Sequence, residues 1–435
     1  MLREEDLLKV VQTTDPILLC GKIVQAVGII LESNGPDISL GERCRILDDR
    51  EERVIESEVV GFRGSRVLLM PLGSVDGVGP GDVVIPSKAP LSVGVSEAAL
   101  GRILDGLGRP MDGKGPIHVR REMSLTNTPP NPLKRRRITD SIGTGVRAID
   151  TLLTCGKGQR VGIFSGSGIG KSTLLGMIAR DTEADVNVIS LVGERGKEVR
   201  DFIERDLGEE GLRRSVVVVS TADQSPLTRV KAAFVATAVA EYFRDEGYDV
   251  MLMMDSITRV AMAQREVGLA AGEPPTTKGY TPSVFALLPR LLERAGTSDR
   301  GGITGLYTVL VEGNDLDEPI ADAARSILDG HIVLSRRLAS QNHYPAIDVL
   351  ESVSRVMIDV VPPEHLALAN RIKELVAVYR EAEDLINIGA YVRGSNRRID
   401  TALEAIDRIN TFLRQGIDEH PAFHENVNVM MSLLD

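Results

Sequence analysis

The segment Ser165-Gly166-Ser167-Gly168-Ile169-Gly170-Lys171-Ser172 constrains this chain more than any other. It lies between a strand-like run, Arg160-Val161-Gly162-Ile163-Phe164, and a helical run, Thr173-Leu174-Leu175-Gly176-Met177-Ile178-Ala179. Alternating glycines let successive backbone N–H groups turn toward one point, and the helix that follows adds the positive end of its dipole. Strand, turn and helix together therefore form a cradle for phosphate. In it Lys171 is expected to reach the β- and γ-phosphates and the Ser172 hydroxyl to ligate Mg²⁺. Gly166, Ser167, Gly168, Ile169, Gly170 and Thr173 supply the surrounding backbone. The strict pattern opens on glycine, and Ser165 stands at that position.

Such a turn needs a parallel sheet, and the surrounding sequence offers one. Apolar runs Val161–Phe164, Val186–Val192, Val216–Val219, Val250–Met254, Ile303–Val311 and His331–Ser335 alternate with helical patterns. This predicts an α/β core with helices covering the sheet. Upstream, short β-branched runs broken by glycine (residues 22–27, 58–60, 66–70 and 82–85) predict a small β-barrel. Downstream of Pro362-Pro363 the periodicity is helical, with Leu366, Ile372, Leu375, Val376 and Tyr379 on compatible spacing. The expected division is an amphipathic arm at 1–15, a barrel at 16–90, a phosphate-binding α/β core at 91–362 and a helical domain at 363–435.

Phosphate chemistry also needs a metal anchor and a group to direct water. Asp249-Val250-Met251-Leu252-Met253-Met254-Asp255 is an apolar strand ending in a carboxylate, and Asp255 suits a metal–water ligand. The run Val186–Val192 ends in Gly193-Glu194-Arg195-Gly196-Lys197-Glu198, at the ligand-facing end of a parallel strand. Glu194 is the candidate to polarise an attacking water, and Glu198 a neighbouring or metal–water partner.

Composition excludes several classes. No apolar run approaches the ~20 residues of a membrane span, and the acidic start Met1-Leu2-Arg3-Glu4-Glu5-Asp6 is unlike a cleaved secretory signal. Three scattered cysteines, Cys20, Cys44 and Cys155, fit a reducing compartment better than a disulfide or zinc scaffold. The formal charge is -11 and aromatics are 3% of residues with no tryptophan, a poor basis for binding nucleic acid. The basic stretch Lys134-Arg135-Arg136-Arg137 in the proline-rich connector is the local exception, and reads better as a solvated loop face.

The phosphate loop, Gly193-Glu194-Arg195 and Asp255-Ser256-Ile257-Thr258-Arg259 together resemble the catalytic subunits of rotary ATPases. Thr144–Asp150, Gly272–Tyr280, Asp329–Leu338 and His343–Asp348 narrow the resemblance to the ATPases of type III protein export and, within these, the flagellum-specific ATPase family. The resemblance covers nearly the whole chain and implies an N-terminal β-barrel, a RecA-like core and a C-terminal helical domain. It implies Mg²⁺-dependent hydrolysis of ATP that energises or primes export of flagellar proteins. Glu194 matches the family's catalytic glutamate, Arg195 and Arg259 match arginines near the phosphates, and Arg355 matches a finger reaching a neighbouring subunit's γ-phosphate. Tyr344 and Phe412 match aromatics that sandwich adenine. A homohexamer is implied, with a stator-like regulator on the N-terminal arm, a central stalk protein, export substrates and chaperones, and a membrane export gate as partners. The implied location is cytoplasmic, peripheral to the membrane at the export apparatus.

Four rivals bear on this reading. A proton-driven ATP synthase divides its labour between two kinds of subunit, whereas this chain carries loop, glutamate and finger together. A RecA-like RNA translocase would need a nucleic-acid platform, yet residues 16–90 hold one aromatic, Phe62, and 8 basic against 11 acidic residues. A catalytically dead scaffold would lack turnover. A virulence-type export ATPase is the nearest competitor, and Thr276-Thr277-Lys278-Gly279-Tyr280 favours the flagellar branch.

Overall fold

The computed structural model describes residues 19–47, 54–311 and 315–434, so the arm at 1–15 lies outside the described residues. The chain divides into two compact units. One holds residues up to Leu91 together with Val267–Glu273, and the other holds Ser92–Glu266 and Pro274 onward.

The first unit is a closed barrel of Gly21–Val27, Ile30–Asn34, Arg66–Pro71, Val54–Arg63, Glu42–Leu47 and Val83–Pro90, in that order around the wall. Every neighbouring pair is antiparallel. Ile23, Leu31, Cys44, Ile46, Val59, Val67, Leu69 and Val84 fill its interior. Two of these strands carry no simple apolar run. In Ile30–Asn34 the buried Glu32 is held by Arg63 at 2.6 Å and Arg66 at 2.9 Å, so a charged residue sits in the wall without an unpaired charge. Glu42–Leu47 alternates charge with Cys44 and Ile46, the period-2 pattern of a half-buried strand.

The second unit is built on a sheet ordered Val353–Ser354, Gly330–Val333, Arg160–Ser165, Gly302–Leu310, Asp249–Asp255, Val186–Val192, Ser215–Ser220 and Arg102–Asp105. All neighbours on this path are parallel except the short Val353–Ser354 edge. Val186–Val192 and Ser215–Ser220 are buried at every position, as strands covered on both faces must be. Register aligns the carboxyl ends: Ser165 faces Leu310, and Leu191 faces Asp255. Helix Pro226–Asp245 starts from Ser225, whose hydroxyl accepts from the Thr228 N–H, with Pro226 in the first turn.

The basic connector turns inward. Arg135 donates to the carbonyl of Ala295 at 2.9 Å, and Arg136 to those of Ser298 and Arg300 at 2.9 and 3.0 Å. The stretch read as a solvated face is therefore partly a clamp on residues 293–300. Cys44 and Cys155 are buried, which pushes both thiols up to about 12, whereas Cys20 is exposed.

The carboxyl-terminal helices Pro363–Asn387, Arg397–Leu413 and Phe423–Met431 close the second unit. Arg397–Leu413 buries Ala402, Ala405, Ile406, Ile409, Phe412 and Leu413, one stripe at helical spacing. Phe423–Met431 is tied to the core through Asp150, which is fully buried. One Asp150 oxygen accepts from the Thr144 N–H and hydroxyl at 2.8 and 2.7 Å, and the other from Asn426 at 3.0 Å. Burial outweighs these bonds and, with the charge of Glu183, lifts this carboxyl to about 6. A raised carboxyl binds its proton more tightly in the folded chain, so its contribution to stability falls as pH rises from ~4 to ~6 and stays low above, by ~3 kcal/mol in all. Asp150→Asn removes that dependence. Its new amide can donate to Asn426 Oδ1, which is buried without a hydrogen-bond partner among the described residues, once the Asn426 amide rotates. The expected result is a Tm for Asp150→Asn that gains on the parent as pH rises from about 4 to about 6 and then levels; a constant gap would show that Asp150 is not the titrating group.

Candidate functional site

The turn after Arg160–Ser165 takes its shape from glycine. Gly168 and Gly170 have φ of +76° and +90°, the left-handed region where a side chain is strained, and Gly170 caps helix Lys171–Asp181. The Ile169 side chain is buried in the core and anchors the loop rather than lining it. Gly166, Ser167, Gly168, Gly170, Lys171, Ser172 and Thr173 line a cavity of 650 Å³, together with Glu194, Glu198 and Arg259.

Three elements aim charge into that cavity. Lys171 Nζ is hydrogen-bonded to Asp255 Oδ1 and lies 3.7 Å from Glu194 Oε1. Asp255 ends its strand with its carboxylate nearly buried, and also accepts from the Thr308 hydroxyl at 2.6 Å. Arg259 Nε lies 3.2 Å from Glu194 Oε1 as an ion pair, and Arg259 Nη2 donates a long hydrogen bond of 3.4 Å to Glu194 Oε2. Gly193 makes room for it: a Cβ there would come within 2.9 Å of Arg259 Cδ, and its φ is +70°.

The acids are tuned against each other. Burial, a hydrogen bond with Glu198 and the charge of Asp255 push Glu194 up to about 7, against the pull of Lys171 and Arg259. The hydrogen bond with Glu194 holds Glu198 below the usual carboxylate range. Glu198 also accepts from the Arg195 N–H at 3.2 Å.

A second, largely apolar cavity of 580 Å³ shares Gly168, Gly170 and Thr173 with the first. Leu174, Met177, Leu334, Pro345, Ala346 and Ile417 line it beside Tyr344. Gln415 closes it, fastened by its N–H to the Tyr344 carbonyl at 2.9 Å and by its side chain to the Gly145 carbonyl at 2.7 Å and the Arg147 N–H at 2.9 Å. A cavity lined by charged groups that shares residues with an apolar one matches the chemistry of a nucleotide.

Not every expected residue arrives. Phe412 belongs to the buried stripe of Arg397–Leu413 and lines a cavity other than the one beside Tyr344, because the helix phase turns its ring into the core. Residues 415–417 stand at the apolar cavity in its place. Arg195 is exposed; its N–H donates to Glu198 and its charge helps to hold that carboxyl low. Arg355 is exposed and outside both cavities, its N–H donating to the Asp329 carbonyl at 3.0 Å. Arg336, Leu334 and Gln415 were not singled out as site residues. Arg336 and Leu334 lie in the Asp329–Leu338 stretch that carried the resemblance.

Comparison with known proteins gives the same outline. Residues 145–354 match the ATP synthase alpha/beta family, nucleotide-binding domain. Residues 23–88 match that family's beta-barrel domain, and 361–432 the T3SS EscN ATPase C-terminal domain. A flagellum-specific ATP synthase of Bacillus subtilis is 54% identical, covering 99% of each chain. A type 3 secretion system ATPase of Xanthomonas euvesicatoria is 51% identical over 95% of this chain and 94% of its own. The assembled ATPase EscN of enteropathogenic E. coli superposes with a TM-score of 0.91 at 45% identity, over 95% of this chain and 100% of its own. In complex with its central stalk EscO, EscN gives 0.88 at 44% identity with the same coverage.

Proposed function

The chain belongs to the ATP synthase alpha/beta family, in the branch of flagellum-specific ATP synthases and type 3 secretion system ATPases, and from that premise we propose that ATP occupies the joined cavities, base against Tyr344 and phosphates on the glycine turn. The chain is an ATPase of flagellar type III protein export. The observation that carries the site assignment is that Lys171 and Glu194 line one cavity on the glycine turn, with Asp255 bonded to Lys171 from the strand end behind it.

In this reading the backbone of residues 166–173 orients the phosphates, and Lys171 turns its ammonium from the two carboxylates to the β- and γ-phosphates. Glu194, as carboxylate, accepts a hydrogen bond from the water that attacks the γ-phosphorus, giving ADP and phosphate. Arg259 holds Glu194 by charge and meets the phosphates, with Arg195 nearby. Mg²⁺ supplies charge neutralisation when bound. The Ser172 hydroxyl and Asp255 carboxylate would hold it, with Glu198 acting through water. These are hard oxygen donors, and among the described residues no group of three or more His, Cys, Asp or Glu forms a metal cage. That donor set suits an ion that keeps waters and shares substrate phosphates.

The reading extends to assembly. The chain forms a homohexamer in which Arg355 reaches the neighbouring subunit's γ-phosphate, as the exposure of Arg355 outside its own cavity allows. By likeness to EscN with its central stalk EscO, a stalk protein enters the ring. A stator-like regulator binds residues 1–15, and export substrates, chaperones and the membrane export gate complete the partners. Among the described residues no helix is long and apolar enough to cross a membrane; the chain works in the cytoplasm, peripheral to the membrane at the export apparatus.

The cellular test replaces the native copy with Glu194→Gln. Swimming and filament-protein export are expected to be lost together. Normal swimming with loss of a different secreted set would assign the chain to the non-flagellar branch.

A further inference from the structure

Two polar groups in the phosphate cavity have no role in the account so far. The first is Ser165, at the position where the strict glycine pattern has no side chain. Ser165 is among the residues around the cavity, its side chain is fully buried beneath the surface, and its Oγ has no hydrogen-bond partner among the described residues. Its carbonyl is already engaged by the Val311 N–H at 3.0 Å, so the hydroxyl is the group left over. A buried hydroxyl without a partner is a standing penalty unless something at the cavity bonds to it.

The second is Arg336, an exposed residue that lines the same cavity. The other cations there are engaged: Lys171 with Asp255 and Glu194, and Arg259 with Glu194. The adjacent Arg337 points its charge elsewhere, to Glu383 at 2.8 Å. Among the described residues no acid pairs with Arg336. Apart from Arg336 the site holds two cations, Lys171 and Arg259, against three carboxylates, Glu194, Glu198 and Asp255. A polyphosphate entering that field needs a further positive group, and a planar guanidinium suits phosphate oxygens.

We propose that Arg336 and the Ser165 hydroxyl are direct phosphate contacts within the same chain, binding donors additional to the glycine turn and Lys171. The inference rests on the nucleotide reading of the cavity. Both groups bind phosphate in the ground state, so their removal weakens affinity more than it slows the chemical step.

The test uses the full chain with Mg²⁺ and ATP, comparing parent, Lys171→Ala, Arg336→Ala, Arg336→Lys and Ser165→Ala. For Arg336→Ala the expectation is a KM for ATP raised about tenfold or more, kcat within about twofold, and an unchanged nucleotide-free Tm, since the residue is exposed. Arg336→Lys should recover part of the loss. For Ser165→Ala the two readouts should move in opposite directions. The nucleotide-free Tm holds or rises because the unpartnered hydroxyl is gone, while ATP binds a few-fold more weakly. A merely structural serine would lower both or neither. If Lys171→Ala loses activity while KM for Arg336→Ala and Ser165→Ala stays at the parent value, the inference is overturned and the site assignment survives. A loss confined to kcat overturns it as well. If Lys171→Ala itself binds and hydrolyses ATP normally, the underlying nucleotide reading fails instead.

Discussion

Lys171→Ala is expected to lower ATP hydrolysis by at least ~10³-fold while the chain stays folded. Phosphoryl transfer depends on positioning and charge neutralisation, and Lys171 contributes to both from the first turn of helix Lys171–Asp181. Its ammonium bridges Asp255 and Glu194. Without it, an incoming triphosphate meets these carboxylates with their shared cation missing. Asp255 keeps its hydrogen bond from Thr308, so the loss should appear in turnover rather than in folding. Phosphate release measured beside Tm checks this, and turnover within tenfold of the parent would remove Lys171 from the site.

The second large effect concerns a residue remote from its own cavity. An arginine supplied across an interface contributes ~10³- to 10⁵-fold in phosphoryl-transfer systems, so Arg355→Ala should be almost inactive although its own cavity is intact. Mixing Arg355→Ala with Glu194→Gln chains discriminates the geometry. In mixed rings some interfaces join an intact Glu194 to a neighbour's intact Arg355, and partial activity should return. Mixtures that co-assemble yet stay inactive would mean that Arg355 acts in its own chain or only supports structure.

The sequence was most legible where local rules and tertiary context agree. Val186–Val192 and Ser215–Ser220 are rich in β-branched and other apolar residues, interrupted only by Asn187 and Ser190 and by the terminal serines, because a parallel strand covered on both faces has no solvent-facing side to confuse the pattern. The glycine turn was legible for a similar reason: its backbone conformation needs glycine at Gly168 and Gly170. The barrel strands Ile30–Asn34 and Glu42–Leu47 were not, since Glu32 is stabilised by arginines 31 and 34 residues away, which no local window can see. Arg102–Asp105 joins the sheet edge from outside the α/β alternation. Phe412 is instructive in the other direction. The spacing 402, 405, 406, 409, 412, 413 already marks a helical core stripe, and the structure buries Phe412 in that stripe. Arg336 lies in the stretch Asp329–Leu338 that carried the resemblance, but no local pattern marks it as a cavity residue, because the pairing of Gly330–Val333 with Arg160–Ser165 brings it to the phosphate cavity.

Glu194→Gln tests the central claim, that this cavity hydrolyses ATP, most directly. The amide keeps the size of the side chain and its capacity for hydrogen bonding but loses the charge that polarises water. At ATP concentrations saturating both proteins, nucleotide binding should stay near the parent value while phosphate release falls by ~10²- to 10⁴-fold. Phosphate release at the parent rate, in a variant that binds ATP normally, would contradict the account and move the water-directing group away from Glu194.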